Sequence, residues 1–538
     1  MKKSLKFIDE EPILEEEPAK ESTPLVPASP PPPTRKRSSS RVMLRHKVCY
    51  GLGGMPYQLT NTVIGFYISV FLLDTAQISP SSASAVIFAG RFWDAITDPF
   101  CGYLVMKTDT RFGKLKPWMF FGAPAAAGMY FFIWYVPGFE NEGSLLAWYL
   151  LFYCGFQTML TLYHMPYSTL TLYLSENQAD RDSATLYRMA SEVAANLLGN
   201  LIMGQTVAGF TRGYERPGCD VNGTSNNISD ETYIQQEKKG YSIGAFVICV
   251  VLLLSASSAL FGTTEKKIKK KDNEEEMNFS MALKKVLTFK PYVTLMLSFL
   301  FLMLAVMTIQ GNYALFIKYS MEEDDYQNYI IVIIFCGFAL MPLWQMFLLK
   351  FGKKAALFVG TLANIPMFLA HAFLPTGYPW ALYIFCVFAG NAISVAMLVP
   401  WSMVPDVIDD FLIKTGNTYE AVFYSFFVMF TKFSAGVALA VSTLALGASG
   451  YVSAACEQPY AVSRTLRILV SAAPLGCTIV GLVFLLFYPI TEEIRKKNKT
   501  LLEIWRDDRD VRRRTTVLRS KEQRQRTRSM RTPSTSII

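Results

Sequence analysis

The chain has 538 residues, of which 51% are hydrophobic and 18% charged, with 39 Phe, 27 Tyr and 23 Met. Soluble domains carry about 25% charged residues, so this composition excludes an ordinary soluble globular protein. The formal net charge of +9 is segregated into the tails and a few loops; with no aromatic-interleaved basic fold beside it, it gives no support for nucleic-acid binding.

Residues 1–45 hold "EEPILEEEPAKE" and then "PASPPPPTRKRSSSR", a composition that cannot build a core and reads as a disordered N-terminal tail. A membrane crossing needs about 20 mostly apolar residues. Twelve such windows follow, at about 49–73, 83–105, 117–137, 146–174, 187–209, 241–263, 291–317, 327–349, 355–375, 379–404, 420–447 and 466–489. The expectation is an all-α membrane protein: a six-span half at 46–263, a linker at 264–290, a second six-span half at 291–490, and a basic tail at 491–538. No signal-peptide pattern precedes the first span, so that span itself is expected to direct insertion.

Lysine and arginine in short loops set orientation. "KTDTRFGKLKP" after the second span, "TTEKKIKKKDNEEE" after the sixth and "KFGKKA" after the eighth are basic, whereas "DTAQISPSS", "PGFENEGS" and "PTGYP" carry neither residue. Both termini are then expected in the cytoplasm. The tail "RRRTTVLRSKEQRQRTRSMR" either touches anionic membrane lipid or is a solvated end. Seven of the nine cysteines fall in or beside apolar spans, where cysteine acts as a small hydrophobe. Cys219 and Cys456 fall in outward loops of opposite halves, where a disulfide would tie the halves together. Asn222 in "NGT" and Asn227 in "NIS" read as glycan acceptors in the same outer region, whereas Asn278 and Asn498 carry the pattern on the cytoplasmic side.

The second span contains "GRFWDAITDP" at residues 90–99. Each aspartate at a helix centre costs about 2.5–3.5 kcal/mol on insertion scales, so the pair needs a partner. Asp94 and Asp98 stand four apart, on one helix face. A monovalent cation would relieve their repulsion; the competing reading is an ion pair with Arg91, which can neutralise only one of them. Two internal matches, "RFGKLKP" with "KFGKKAA" at an offset of 239 and "MPYSTL" with "VPWSMV" at 234, imply six spans duplicated into twelve, as in major-facilitator transporters.

"GRFWDAITDP", "DRDSATLYRM", "PWSMVPDVIDDF" and "FFVMFTKFSAG" together resemble the sodium-coupled sugar symporter family of the major facilitator superfamily. They resemble more closely still its lysophosphatidylcholine-symporter branch, over about Lys47 to Lys499. The resemblance implies that Asp94 and Asp98 bind sodium as the coupling ion, with no other cofactor, and that Lys432 faces them as a switch. It places Arg188 in the central cavity for a lipid phosphate and Trp401 near lipid or choline. Gln310 and Gln157 stand where glutamates are expected, which weakens selection for choline. Asp180, Arg181 and Asp182 are expected to form an inner-gate cluster with Asp406, Asp409 and Asp410. The implied protein is a monomeric lysophospholipid carrier of the plasma membrane, with the endoplasmic reticulum as the alternative location. A sphingosine-1-phosphate exporter of the sister branch is the runner-up; that branch shares the glutamine at position 157 but tends to lack the first aspartate. His46, His164 and His371 are scattered without a metal motif, which disfavours an enzyme.

Overall fold

In the computed structural model the described residues are 43–504 except 109, 111–112, 176–177, 213, 215–226, 266–278, 324, 417–418, 454 and 456. Cys219, Cys456, Asn222 and Asn278 therefore lie outside them, and Asn227 is the first residue of a helix.

The N-terminal half begins with Leu44–Leu52 (α1) and Met55–Val70 (α2), continued by a π-turn at Phe71–Thr75. Then come Pro80–Lys107 (α3), Lys116–Ile133 (α4), Glu142–Leu174 (α5), Gln178–Thr211 (α6) and Asn227–Gly262 (α7). A short helix, Phe279–Leu287 (α8), lies inside the 264–290 linker. The second half comprises Lys290–Ser320 (α9), Tyr326–Phe351 (α10), Lys353–Leu362 (α11), Ile365–Phe373 (α12), Pro379–Thr415 (α13), Glu420–Ala448 (α14), Tyr460–Val470 (α15) and Ala472–Leu486 (α16). No strand occurs among the described residues.

Each of the twelve apolar windows falls largely in helix, and among the described residues nine passages are long and apolar enough to cross a membrane. The first three passages fall short for visible reasons. The first is divided at Gly53-Gly54, the second carries Arg91, Asp94 and Asp98, and the third opens on Lys116-Pro117 and runs only 18 residues. Two later passages are broken ahead of prolines, at Ala363-Asn364 before Pro366 and at Ser471 before Pro474. In lipid the backbone groups freed by such breaks must find partners. Asn391 supplies one: its Nδ2 donates to the Gly360 carbonyl at 3.1 Å and to Asn364 Oδ1 at 2.8 Å, while Trp344 Nε1 donates to Asn391 Oδ1 at 2.7 Å.

Within the first half α4 packs on α5 and α7, α3 on α5, and α2 on α6; within the second α10 packs on α13, and α9 on α14 and α16. The halves meet where α3 lies along α14, α2 along α9 and α6 along α10. Glycine allows the closest crossings. A Cβ on Gly436 of α14 would stand 2.9 Å from the Cβ of Arg91, and one on Gly390 of α13 would stand 2.7 Å from the backbone of Gly337 and Ile333 in α10.

Candidate cation and head-group site

The two aspartates project from α3 toward the seam with α14. Asp94 is 3% exposed and Lys432, from α14, 8%. The Lys432 ammonium lies 2.8 Å from Asp94 Oδ2 and 2.5 Å from Asp98 Oδ2, so one cation from the second half is shared by a carboxylate pair of the first. From α5, the Thr161 hydroxyl reaches both carboxylates, at 3.1 Å to Asp94 Oδ1 and 3.0 Å to Asp98 Oδ1. Arg91 does not take the role of counter-ion to Asp94: its Nη1 donates to Asn61 Oδ1 at 3.1 Å, and its buried Nε has no partner among the described residues. Two carboxylates and a hydroxyl are hard oxygen donors, the type that binds hard cations. With Lys432 in place the cluster carries one net negative charge, and without it two.

Arg188 stands on α6, its Nε donating to Glu192 Oε1 at 2.6 Å and its guanidinium over the Tyr167 ring at 5.4 Å. Its terminal amino groups donate to no described residue, which leaves the bidentate edge that phosphate recognition uses. Gln310 lines a cavity of about 10 Å³ between the halves, walled by apolar side chains including Phe66, Ile309 and Ile333, about the space one water needs. That is far below the roughly 300–1,000 Å³ of small-molecule sites, so admission of a lipid requires the halves to part. Gln157 lies elsewhere. It is 1% exposed on α5, one turn before Thr161, and its Nε2 has no partner among the described residues. Trp401 is partly exposed and meets the Phe427 ring edge-on at 4.7 Å.

Of the acidic residues expected to form one inner cluster, three pair with a cation of their own half. Asp180 pairs with Lys47 at 2.9 Å and Asp406 with Lys353 at 2.7 Å. Asp410 takes Lys414 at 2.7 Å and Asn498 Nδ2 at 3.0 Å. Nearby, the hydrogen bond from Arg495 holds the Glu492 carboxyl below its ordinary pKa.

Sequence reasoning missed two features. Thr161 carried no signal among apolar neighbours. A second buried ion pair, Asp74 with Lys318, also escaped notice, although a lysine inside "YALFIKYSM" is the kind of intramembrane charge that needs a partner.

Residues 49–492 match the family model described as MFS/sugar transport protein. The chain belongs to that family. Curated relatives extend the likeness over most of the chain. The sodium-dependent lysophosphatidylcholine symporter 1-B of Danio rerio is 41% identical over 485 residues, covering 88% of this chain and 92% of the relative. The human sodium-dependent lysophosphatidylcholine symporter 1 is 38% identical over 499 residues, covering 88% and 90%. A sphingosine-1-phosphate transporter of Xenopus tropicalis is 38% identical over 483 residues, covering 88% and 93%. Among solved structures, the nucleoside transporter NupG superposes with a TM-score of 0.54 at 13% identity, covering 84% of this chain and all of that one, which bears on the fold alone. The family, these relatives and the helical architecture make the protein a multi-pass membrane transporter of the major-facilitator fold.

Proposed function

We propose that this transporter is a sodium-coupled lysophospholipid symporter of the plasma membrane, both termini cytoplasmic, working by alternating access between its two halves. The observation that carries the reading is the seat of Lys432. An ammonium from one half lies between two carboxylates of the other, Asp94 buried and Asp98 half-buried, where an alkali cation would find Asp94, Asp98 and Thr161 as oxygen ligands. Sodium entering from outside displaces the lysine, and the charge it brings replaces the charge that leaves. Arg188 takes the lipid phosphate on its uncommitted edge. The acyl chain lies along the apolar wall around Gln310 once the halves have parted.

The names of the relatives support sodium and lysophosphatidylcholine as the cargo. The retained Asp94 favours this over sphingosine-1-phosphate, while the neutral Gln310 and Gln157 favour broad head-group tolerance. The decisive measurement is uptake of labelled lysophosphatidylcholine by cells expressing the chain, with external sodium or with an impermeant organic cation in its place. Sodium should stimulate uptake, and unlabelled lysophospholipids of several head groups should compete. Competition by sphingosine-1-phosphate without competition by lysophosphatidylcholine would replace this reading with the sphingolipid one.

A further inference from the structure

Asp74 closes the first passage and Lys318 the seventh, so the two stand at one end of the bundle, opposite the end that carries Lys116 and Lys353. Their side chains are 1% and 4% exposed, and Lys318 Nζ lies 2.5 Å from Asp74 Oδ2. The Tyr319 hydroxyl donates to the same oxygen at 2.8 Å, and the Tyr451 hydroxyl to Oδ1. All three donors belong to the second half and the carboxylate to the first. Each side is braced by its own half. Thr75 donates to Glu237 of α7 at 3.0 Å, and Arg467 Nη2 donates to the Ser320 carbonyl at 3.3 Å. Just beyond each partner the chain turns through a left-handed non-glycine residue, Gln77 at φ 56° and Glu322 at φ 59°.

The pair spans the seam that must open if cargo is to enter from the outer face. We propose that Asp74 and Lys318, with the Tyr319 and Tyr451 hydroxyls, form an outer latch: dry and fully paired when the outer face is closed, separated and hydrated when it opens. Breaking a buried pair by removing one partner leaves an uncompensated charge. Single substitutions therefore disfavour the closed state, in which that charge is dry, far more than the open state, in which water solvates it.

The test places a reporter cysteine, Ile333→Cys, in the cavity below the latch in the full-length chain at the cell surface. Labelling by an impermeant maleimide added outside is compared with the same latch variant lacking the reporter. Lys318→Met and Asp74→Asn should each speed labelling by at least about tenfold. The reversal Asp74→Lys with Lys318→Asp should return the rate toward that of the reporter alone. Tyr451→Phe, which removes one hydroxyl and leaves both charges, should give about a threefold rise, and it decides the matter if the charge variants do not reach the surface. Labelling at the reporter-alone rate in the single variants, or in Tyr451→Phe where only it is expressed, would overturn the latch, as would a reversal as fast as the singles. The inference rests on the alternating-access reading, but labelling needs no substrate. Failed lysolipid uptake in a chain that labels as expected would refute the cargo and leave the latch standing.

Discussion

Replacing Thr161 with valine removes one hydroxyl and keeps the shape of the side chain, so the change is chemical and leaves little cavity. That hydroxyl has one proton to share between Asp94 and Asp98, at 3.1 and 3.0 Å, so it counts as one hydrogen bond to charged acceptors. Such bonds contribute about 1.5–3 kcal/mol. With Lys432 seated, the ammonium still binds both carboxylates and the variant loses only the shared proton. With sodium seated, the same group is in addition a ligand oxygen, so the sodium-bound site loses more. Taking the low end of the range as the difference, and about 1.4 kcal/mol per tenfold, the sodium concentration for half-maximal uptake should rise about tenfold.

The assay is a sodium titration of lysophosphatidylcholine uptake at fixed lipid, normalised to surface protein. Thr161→Val should shift the curve to higher sodium while maximal uptake is largely kept, and Thr161→Ser, which restores the hydroxyl, should shift it back. An unchanged half-saturation in the valine variant would show that the hydroxyl ties the carboxylates structurally and is no part of the ion site.

Other outcomes follow from the same geometry. Asp94→Asn or Asp98→Asn should abolish sodium-stimulated uptake while surface expression is kept, and full sodium dependence in either variant would remove that carboxylate from the site. Gln310→Glu should move the preference in lipid competition toward choline-bearing head groups, since a carboxylate in the cavity attracts a quaternary ammonium. Gly390→Val must force the backbones of α10 and α13 apart and should cost about 3 kcal/mol, seen as a lower thermal midpoint in detergent; a midpoint equal to that of the parent would refute the close crossing. Glycan mapping should find sugar on Asn222 and Asn227 and none on Asn498, whose amide is buried against Asp410, and non-reducing peptide mapping should join Cys219 to Cys456. Sugar on Asn278 or Asn498 would invert the orientation.

The architecture was readable because lipid imposes a simple rule: a crossing is a long apolar helix, and charge inside one is conspicuous. Asp94 and Asp98 stand out for that reason, and their spacing alone puts them on one helix face. Their partners were less legible. Lys432 was indicated by resemblance, whereas Thr161 looks like any threonine in an apolar helix, and only the packing of α3 on α5 brings its hydroxyl to both carboxylates. Gln157 carried a head-group expectation, yet its turn of α5 faces inward beside Thr161, a matter of helical phase that composition does not report. The Asp74 and Lys318 pair was hidden for another reason. Each lies at the last turn of a passage, where a charge reads as the start of a loop, and 244 residues separate them.

The two lysines have a common logic. Lys432 and Lys318 both belong to the second half, and both pair with carboxylates of the first. Each is therefore a tie across the surface along which the halves must move. In the proposed cycle sodium takes the inner carboxylates from Lys432, so ion binding removes one tie and changes the relative energy of the open and closed arrangements. A ligand shifts such an equilibrium only by its differential affinity for the two states. Direct competition between sodium and an ammonium for the same oxygens provides that difference without a long chain of intermediary residues. The outer pair sets how far the balance must tip. While Asp74 and Lys318 stay dry and paired, displacing Lys432 loosens the seam at its middle only, and outer opening waits on water reaching the second pair. On this account a weakened latch raises outer accessibility even without sodium, whereas loss of Asp94 or Asp98 removes the sodium dependence of that accessibility and leaves the latch intact.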